Sequence, residues 1–119
     1  MDLSTGTQQI RKLNFADKHI DAILGGRKTL TYRITDDVPR TGERVQLIDE
    51  SGERFASVHI ADTGYITVEQ AARENIDGHR TYRSTAELID ELEGYYPDEE
   101  ITPETTLEII YWDWEDLWE

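Results

Sequence analysis

The sequence predicts a single α+β domain built around a curled sheet, and three observations support that fold class. The chain has 119 residues, a length that suits one compact core. Segments with apolar residues at helical spacing alternate with segments rich in Val, Ile, Thr and Tyr, which are typical of strands. Their order is helix, strand, hairpin, two helices and strand, and no internal repeat interrupts it.

The first half of the chain contains the first helix, a strand and a hairpin. Residues 15–24 carry apolar side chains at helical spacing, and a glycine pair ends this predicted helix. The alternating segment "KTLTYRI", residues 28–34, is a predicted strand. Residues 44–49 and 53–61 are two further strands, and the turn "ESG" between them predicts a hairpin.

The second half contains two helices and the last strand. Each helix is predicted from a capping box, a hydroxyl residue followed three positions later by Gln or Glu. The first helix covers residues 68–75 behind Thr67, and the second covers residues 85–93 behind Ser84 and ends at the following glycine. The alternating segment 105–114 is the last predicted strand.

The charge balance is strongly acidic. Twenty-six acidic residues stand against twelve basic ones, which gives a formal net charge of −14 and a pI near 4.4. Such a charge destabilises a compact fold by self-repulsion unless salt screens it, and in molar salt the Debye length falls to about 3 Å. The composition resembles that of proteins from salt-accumulating archaea, and an acidic protein of a mesophile is the alternative.

Composition also restricts partners and chemistry. No Lys or Arg follows Glu87, so we expect no duplex nucleic acid as partner, whereas a nucleoside or one splayed-out base of single-stranded RNA fits. No apolar run is long enough for a membrane span and the first residues lack a signal-peptide layout, so we expect a cytoplasmic protein without a membrane partner. Cysteine is absent, which excludes thiol nucleophiles and thiolate metal sites.

The stretch "ILGGRKTLTYR", residues 23–33, is the strongest candidate for a site. A threonine hydroxyl attacks a substrate only when a base removes its proton, and Lys28 can be that base if burial lowers its pKa by roughly 3 units. Residues 28 and 31 of a regular strand point to opposite faces, so Lys28 must lie in the bend before the strand or beside a bulge to reach Thr31. The alternative is an ordinary strand whose polar side chains face solvent.

This stretch, together with "RTGERVQL", "AARENI", "YYP" and "LEIIYW", resembles the ASCH family of PUA-like domains over residues 15–112. The resemblance is greatest to small bacterial amidohydrolases that remove the acetyl group from N(4)-acetylcytidine. Their motif is Gly, Arg, Lys, Thr, an apolar residue, Thr, an apolar or aromatic residue and Arg, and residues 26–33 match it throughout. The resemblance implies a PUA-like, β-barrel-like curled sheet with flanking helices.

The resemblance also implies Lys28, Thr31 and Glu74 as catalytic residues, with neither a metal nor a cofactor. In one version Thr31 attacks the acetyl carbonyl while Lys28 takes its proton. In the other, Lys28 activates a water molecule that Thr31 only positions. Glu74 orients Lys28, binds the amine edge of cytidine or carries the second proton transfer.

Further residues are candidates for substrate binding. Arg33 shares a strand face with Thr31, and it either stabilises the carbonyl oxygen or holds the base. Tyr32 and Tyr65 are candidates for stacking on the base. The remaining substrate-binding candidates are Arg27, Thr29 and Asn75. The alternative function is that of an ASCH module that binds RNA without catalysis, as other ASCH domains are thought to do.

We interpret residues 1–14 as an N-terminal extension and residues 15–119 as the ASCH domain with an acidic, aromatic end, "WDWEDLWE". The chain departs from the bacterial pattern at these two termini. The three tryptophans are expected to cover the core, with a homodimer face or a recruited partner as the alternatives. His19, His59 and His79 lack the spacing of metal ligands and are expected to be structural or exposed.

Overall fold

Five strands and three α-helices make up the computed structural model, which describes residues 10–113. The strands are β1 (Arg11–Asn14), β2 (Leu30–Arg33), β3 (Arg44–Ile48), β4 (Arg54–Thr67) and β5 (Thr106–Asp113). The helices are α1 (Ile20–Leu24), which follows a 3-10 turn at Asp17–His19, α2 (Val68–Glu74) and α3 (Thr85–Tyr95). The predicted α+β class is confirmed.

The strands form one sheet in the order β1-β3-β4-β5-β2. β1 runs parallel to β3, and the other three pairings are antiparallel. β4 is 14 residues long, and its pairing with β5 slips between Ile60 and Asp62. A bulge of this kind bends a strand and increases its twist, so the sheet curls into a half-barrel.

Each face of the sheet carries a hydrophobic core. Leu30 packs with Leu88 of α3 in the first core, and Ile23 of α1 packs with Ile110 of β5 in the second. Side chains alternate along β2, and Thr31 is paired directly with Ile110, so the hydroxyl of Thr31 lies on the face of the second core. Among residues 10–113, no helix is long and apolar enough to cross a membrane.

β1 is a strand that the sequence did not predict. Its sequence "RKLN" contains a single buried apolar side chain, Leu13, which is too little pattern to indicate a strand. Parallel pairing with β3 holds it in place, so part of the segment 1–14 that we interpreted as an extension belongs to the sheet. The helix predicted for residues 15–24 is shorter than expected, since Phe15 lies in the second core and α1 begins only at Ile20.

β4 extends further than predicted, to Thr67 instead of residue 61. The added segment "DTGYIT" contains a turn-like Asp and Gly, yet every residue from Asp62 to Thr67 pairs with β5. Tertiary pairing overrides the local turn preference here. This extension brings the chain directly to the start of α2.

The capping box predicted for α2 is confirmed. The side chain of Thr67 accepts a hydrogen bond from the N–H of Gln70, and the side chain of Gln70 accepts one from the N–H of Thr67. α2 ends at Asn75, whose φ of 46° places it in the left-handed region. Asn and Gly are the residues that commonly end helices in this conformation.

α3 begins as predicted but ends later. Ser84 accepts a hydrogen bond from the N–H of Glu87, whereas the carboxylate of Glu87 accepts one from Arg83 instead of completing a capping box. The helix runs through the glycine at position 94, where its end was predicted, and stops at Tyr95. The next residue, Tyr96, precedes a proline, which disfavours the helical conformation.

The last strand carries one of the three tryptophans of the acidic end. Trp112 is buried in the second core, with its ring 5.6 Å from that of Phe15 in an edge-to-face arrangement. This packing agrees with the expected covering of the core. Trp114 and Trp118 lie outside the described residues.

Candidate active site

A cavity of about 540 Å³ lies between β2, the turn after β3, the loop between α2 and α3, and α3 itself. Its aromatic lining consists of Phe15, Tyr32, Tyr82, Tyr95 and Tyr96. Its polar lining includes the side chains of Lys28, Thr31, Arg33, Glu91, His19 and His79. A concave site with apolar walls and a few converging polar groups is typical of small-molecule pockets.

Lys28 lies in the bend that precedes β2, as cooperation with Thr31 requires. Its side chain is buried, with 7% of the residue exposed, and its Nζ donates a hydrogen bond to the carbonyl of Leu30 at 3.0 Å. Burial, assisted by the positive charge of Arg33 and opposed by the negative charge of Glu91, lowers the pKa of Lys28 to about 7. A large share of the Lys28 side chains is therefore neutral at neutral pH.

Thr31 and Arg33 are held together on the cavity side of β2. The Nε of Arg33 donates a hydrogen bond to Oγ1 of Thr31 at 3.2 Å. Another guanidinium nitrogen donates to the carbonyl of Asn14 at 2.6 Å, and the guanidinium lies 4.8 Å from the ring centre of Phe15. Burial lowers the pKa of Arg33, but a guanidinium stays charged in proteins.

Two consequences follow from this arrangement. Because Oγ1 of Thr31 accepts the Arg33 hydrogen bond, its own proton points elsewhere and is available to a base. Among residues 10–113, no carboxylate forms an ion pair with Arg33. A half-buried guanidinium without a carboxylate partner among these residues is suited to hold a negatively charged oxygen in the cavity.

The loop between α2 and α3 closes one side of the cavity with His79. The imidazole lies between two tyrosine rings, with centroids 4.5 Å from Tyr32 and 5.8 Å from Tyr82. Burial, followed by the charge of Lys28, lowers the pKa of His79 to about 4. His79 is therefore neutral at neutral pH, and it forms part of the wall together with the aromatic rings.

This loop is fixed to the start of β2 through Gly78. The N–H of Thr29 donates to the carbonyl of Gly78 at 2.8 Å, and Gly78 has a φ of 96°. A Cβ at this position would collide with Oγ1 of Thr29. Both the backbone conformation and the close approach therefore require glycine.

We expect Gly78→Ala to lower the free energy of unfolding by about 1–3 kcal/mol, because the new methyl group adds a collision to a strained backbone. Gly64→Ala is the matched control, since a Cβ there meets nothing within 4 Å and its φ is not positive. Urea denaturation of the two variants and the parent measures the difference. Equal stability of all three proteins would contradict the fixed position of the loop.

Glu91 of α3 is the carboxylate that reaches deepest into the cavity wall. Its side chain is 15% exposed, and its two oxygens accept hydrogen bonds from Nε of Arg80 at 2.8 Å and from the hydroxyl of Tyr82 at 2.9 Å. Burial raises the pKa of Glu91, but the hydrogen bonds from Arg80 and Tyr82 outweigh it, so the net pKa lies below the ordinary value. Glu91 is ionised at neutral pH.

The structure brings together four of the nine predicted site residues. Lys28, Thr31, Tyr32 and Arg33 line the cavity. The other five do not line it: Arg27, Thr29, Tyr65, Glu74 and Asn75. For three of these the reason is plain, since Arg27 and Glu74 are exposed and Tyr65 is 72% exposed.

The remaining two predicted residues have structural contacts. Asn75 ends α2, and its Oδ1 accepts a hydrogen bond from the N–H of Tyr82 at 2.8 Å, which ties the loop to the helix end. Thr29 anchors the same loop through its backbone hydrogen bond to Gly78. Neither side chain contributes to the cavity lining.

Sequence reasoning missed several residues that line the cavity. His19, whose Nε2 lies 2.8 Å from the hydroxyl of Tyr95, and His79 were expected to be structural or exposed. Glu91 had no distinguishing signal among the acids of α3. No spacing along the chain marks these residues, because they meet Lys28 only through the tertiary fold.

Among residues 10–113, no group of three His, Asp or Glu side chains is arranged to hold a metal ion.

Comparison with known proteins identifies the fold. No protein-family model matches the sequence, and no curated protein matches it. A protein from Enterococcus faecalis is similar in structure, with a TM-score of 0.69 and 14% identity over 98% of this chain and 80% of that chain. The ASCH domain from Lactobacillus crispatus has a TM-score of 0.67 and 13% identity over 93% of this chain and 85% of that chain.

The ASCH protein from Zymomonas mobilis is also similar, with a TM-score of 0.61 and 11% identity over 89% of this chain and 68% of that chain. Identities this low carry the fold and not the activity. The curled sheet, the flanking helices and these likenesses agree with the resemblance found in the sequence. The chain therefore has the fold of the ASCH domains.

Proposed function

We propose that this chain is a metal-independent amidohydrolase that removes the acetyl group from N(4)-acetylcytidine or a similar acylated nucleoside. The observation that carries the proposal is the buried Lys28, whose pKa of about 7 suits a general base, in the same cavity as Thr31. An efficient general base has a pKa near the working pH. Simple binding of RNA requires neither a neutral lysine nor a hydroxyl beside it.

The hydrogen bond of Lys28 supports a role as the base. A neutral amine has two N–H groups and one lone pair, and one N–H is directed to the carbonyl of Leu30. The lone pair is then available to take the proton of Thr31 or of a water molecule. The hydroxyl of Thr31 has its own proton free, since it accepts from Arg33.

The reaction is an acyl transfer in two steps. In the first, Oγ1 of Thr31 attacks the acetyl carbonyl, Lys28 takes the hydroxyl proton, and the carbonyl oxygen becomes an oxyanion near the Arg33 guanidinium. The bond between the acetyl carbon and N4 then breaks, and the proton passes to the departing amine of cytidine. In the second step, water attacks the acetyl ester of Thr31, acetate leaves, and Thr31 recovers its proton.

The cavity agrees with a nucleoside as substrate. Its volume of about 540 Å³ lies within the roughly 300–1,000 Å³ typical of small-molecule sites. Tyrosine rings along the wall can stack on a pyrimidine. Asp49 and Glu50 line the cavity from the turn after β3, so the negative charge there disfavours the phosphates of a nucleotide or an RNA strand.

The test is release of acetate and cytidine from N(4)-acetylcytidine by the full chain in molar KCl. We expect both products in equal amounts, with less activity on the 5′-phosphorylated nucleoside. If the folded chain releases neither product yet associates with single-stranded RNA, the proposal is wrong and the cavity holds a base without catalysis.

Variants of Thr31 distinguish the hydroxyl from an activated water as the nucleophile. Thr31→Val keeps the shape but removes the hydroxyl, so we expect kcat/KM to fall at least about 10²-fold, whereas Thr31→Ser retains a measurable rate. Mass spectrometry of the parent during turnover is expected to find one acetyl group on Thr31. A Thr31→Val variant that keeps the parent's rate would assign the attack to water.

A further inference from the structure

We propose that Glu91 is the positioning residue whose carboxylate supplies the counter-charge of Lys28, and that Glu74 does not have this role. The proposal rests on the proposed function for its catalytic consequence. The electrostatic coupling that it assumes, between Glu91 of α3 and Lys28 in the bend before β2, can be measured without any substrate.

Position distinguishes the two glutamates. Glu74 lies on the last turn of α2, is exposed and does not line the cavity. Glu91 lines the same cavity as Lys28, and only 15% of its side chain is exposed. A charge in a buried position acts through protein of low dielectric constant, where it is screened far less than a surface charge.

Glu91 is also held in one orientation. Arg80 and Tyr82 each donate a hydrogen bond to one of its oxygens, and Arg80 lies over the ring of Tyr82 at 4.4 Å. Glu91 forms no ion pair with Lys28, whose Nζ donates its hydrogen bond to the carbonyl of Leu30. The carboxylate thus acts on Lys28 through space, in the orientation that Arg80 and Tyr82 fix, and it leaves the amine free to exchange protons with the substrate.

The other charged and titratable groups around Lys28 do not substitute for Glu91. Arg33 has the opposite sign and disfavours the ammonium. The pKa values of His19 and His79 are both lowered, chiefly by burial, so neither imidazole is anionic or strongly basic. Two further carboxylates line the cavity, Asp49 and Glu50.

These two carboxylates are engaged in the turn after β3. Asp49 accepts hydrogen bonds from the backbone of Ser51 and Glu53, and Glu50 is exposed and accepts from the N–H of Asp17. Glu91 is the most deeply buried of the three carboxylates that line the cavity. When Lys28 takes the proton of the nucleophile, the new ammonium forms opposite this fixed negative charge.

Removing the charge of Glu91 should move the titration of Lys28 in one direction. Glu91→Gln removes the negative charge and keeps the shape, so the ammonium form of Lys28 loses its stabilisation and its titration moves to lower pH. Glu74→Gln is the matched control, since it makes the same chemical change at an exposed position. A purely structural role of Glu91 would lower activity without moving the titration in this direction.

The experiment measures the titration of Lys28 by NMR on protein with isotopically labelled lysine. The chain has only three lysines, at positions 12, 18 and 28, so the Lys28 signal is assigned by its loss in Lys28→Met. We expect the Lys28 midpoint to fall by about one pH unit in Glu91→Gln, a roughly tenfold loss of proton affinity, and to stay unchanged in Glu74→Gln. The acid limb of the pH–rate profile should move by the same amount.

Three results would overturn the proposal: an unchanged Lys28 midpoint in Glu91→Gln, an equal change in Glu74→Gln, or a shift to higher pH in Glu91→Gln. If the parent releases no acetate, the proposed function fails, but the NMR midpoints still decide the coupling. If Glu91→Gln does not fold, Glu91→Asp replaces it, since it keeps the charge and shortens the side chain by one methylene. The Lys28 midpoint should then fall by a smaller amount, and no change there would count against the proposal.

Discussion

Lys28→Met is expected to lower kcat/KM for release of acetate from N(4)-acetylcytidine by roughly 10²–10⁴-fold, the usual contribution of a general base. Methionine fills a similar volume but has no lone pair of comparable basicity, so the proton of the nucleophile has no acceptor. The measurement is the initial rate of acetate release in molar KCl. Lys12→Met, at an exposed position of β1, is the control and should keep the parent's rate.

Partial activity in the Lys28 variant would place the base elsewhere in the cavity. His79 is the neighbouring imidazole that could then take the proton, although its pKa of about 4 makes it a weak base. A Lys28→Met protein that retains more than about a tenth of the parent's rate would exclude Lys28 as the base.

Lys28→Met should also make the folded chain more stable than the parent. The pKa of Lys28 is about 7 in the folded chain and about 10.4 in an unfolded one, and each unit corresponds to about 1.4 kcal/mol. We therefore expect Lys28→Met to raise the free energy of unfolding near neutral pH by up to about 4 kcal/mol. The figure is an upper bound, because methionine cannot donate a hydrogen bond to the carbonyl of Leu30.

The increase in the free energy of unfolding caused by Lys28→Met should depend on pH in one direction. Between the folded and unfolded pKa values the unfolded chain binds more protons, so the contribution of Lys28 to the parent's stability increases as the pH rises from about 7 to about 10.4. The advantage of Lys28→Met should be greatest near or below pH 7 and should shrink towards pH 10. Urea denaturation of parent, Lys28→Met and Lys12→Met at both pH values measures it.

If Lys28→Met were less stable than the parent at neutral pH, burial of the amine would not cost stability, and its pKa could not be lowered by burial. Together, the two predictions mean that Lys28 lowers the stability of the fold while it supports activity. Sites that need a strained or desolvated group commonly lose stability for activity.

The sequence predicted the parts of the fold that local patterns determine. The capping hydroxyls of Thr67 and Ser84 mark two helix starts, and alternating residues mark β3 and β5. β1 was missed because its four residues contain one buried apolar side chain and are held by parallel pairing with β3. The end of α3 was misplaced because the proline after Tyr96, and not the preceding glycine, stops the helix.

The residues of the candidate site also fall into two groups, those that a local pattern marks and those that only the tertiary fold brings together. Lys28, Thr31, Tyr32 and Arg33 lie in one stretch of chain, so a motif could find them together. Glu91 and His79 reach the cavity only because α3 and its preceding loop pack against β2. Their distance from Lys28 along the chain exceeds fifty residues, and single-sequence patterns carry no information on such contacts.

The most direct test of the account is the pH dependence of kcat/KM for acetate release from N(4)-acetylcytidine by the parent chain in molar KCl. A site that depends on neutral Lys28 predicts a rate that rises about tenfold per pH unit below about pH 7 and is level above it. A folded chain that releases no acetate, or whose rate does not change between about pH 5 and pH 9, would contradict the assignment of Lys28 as the base.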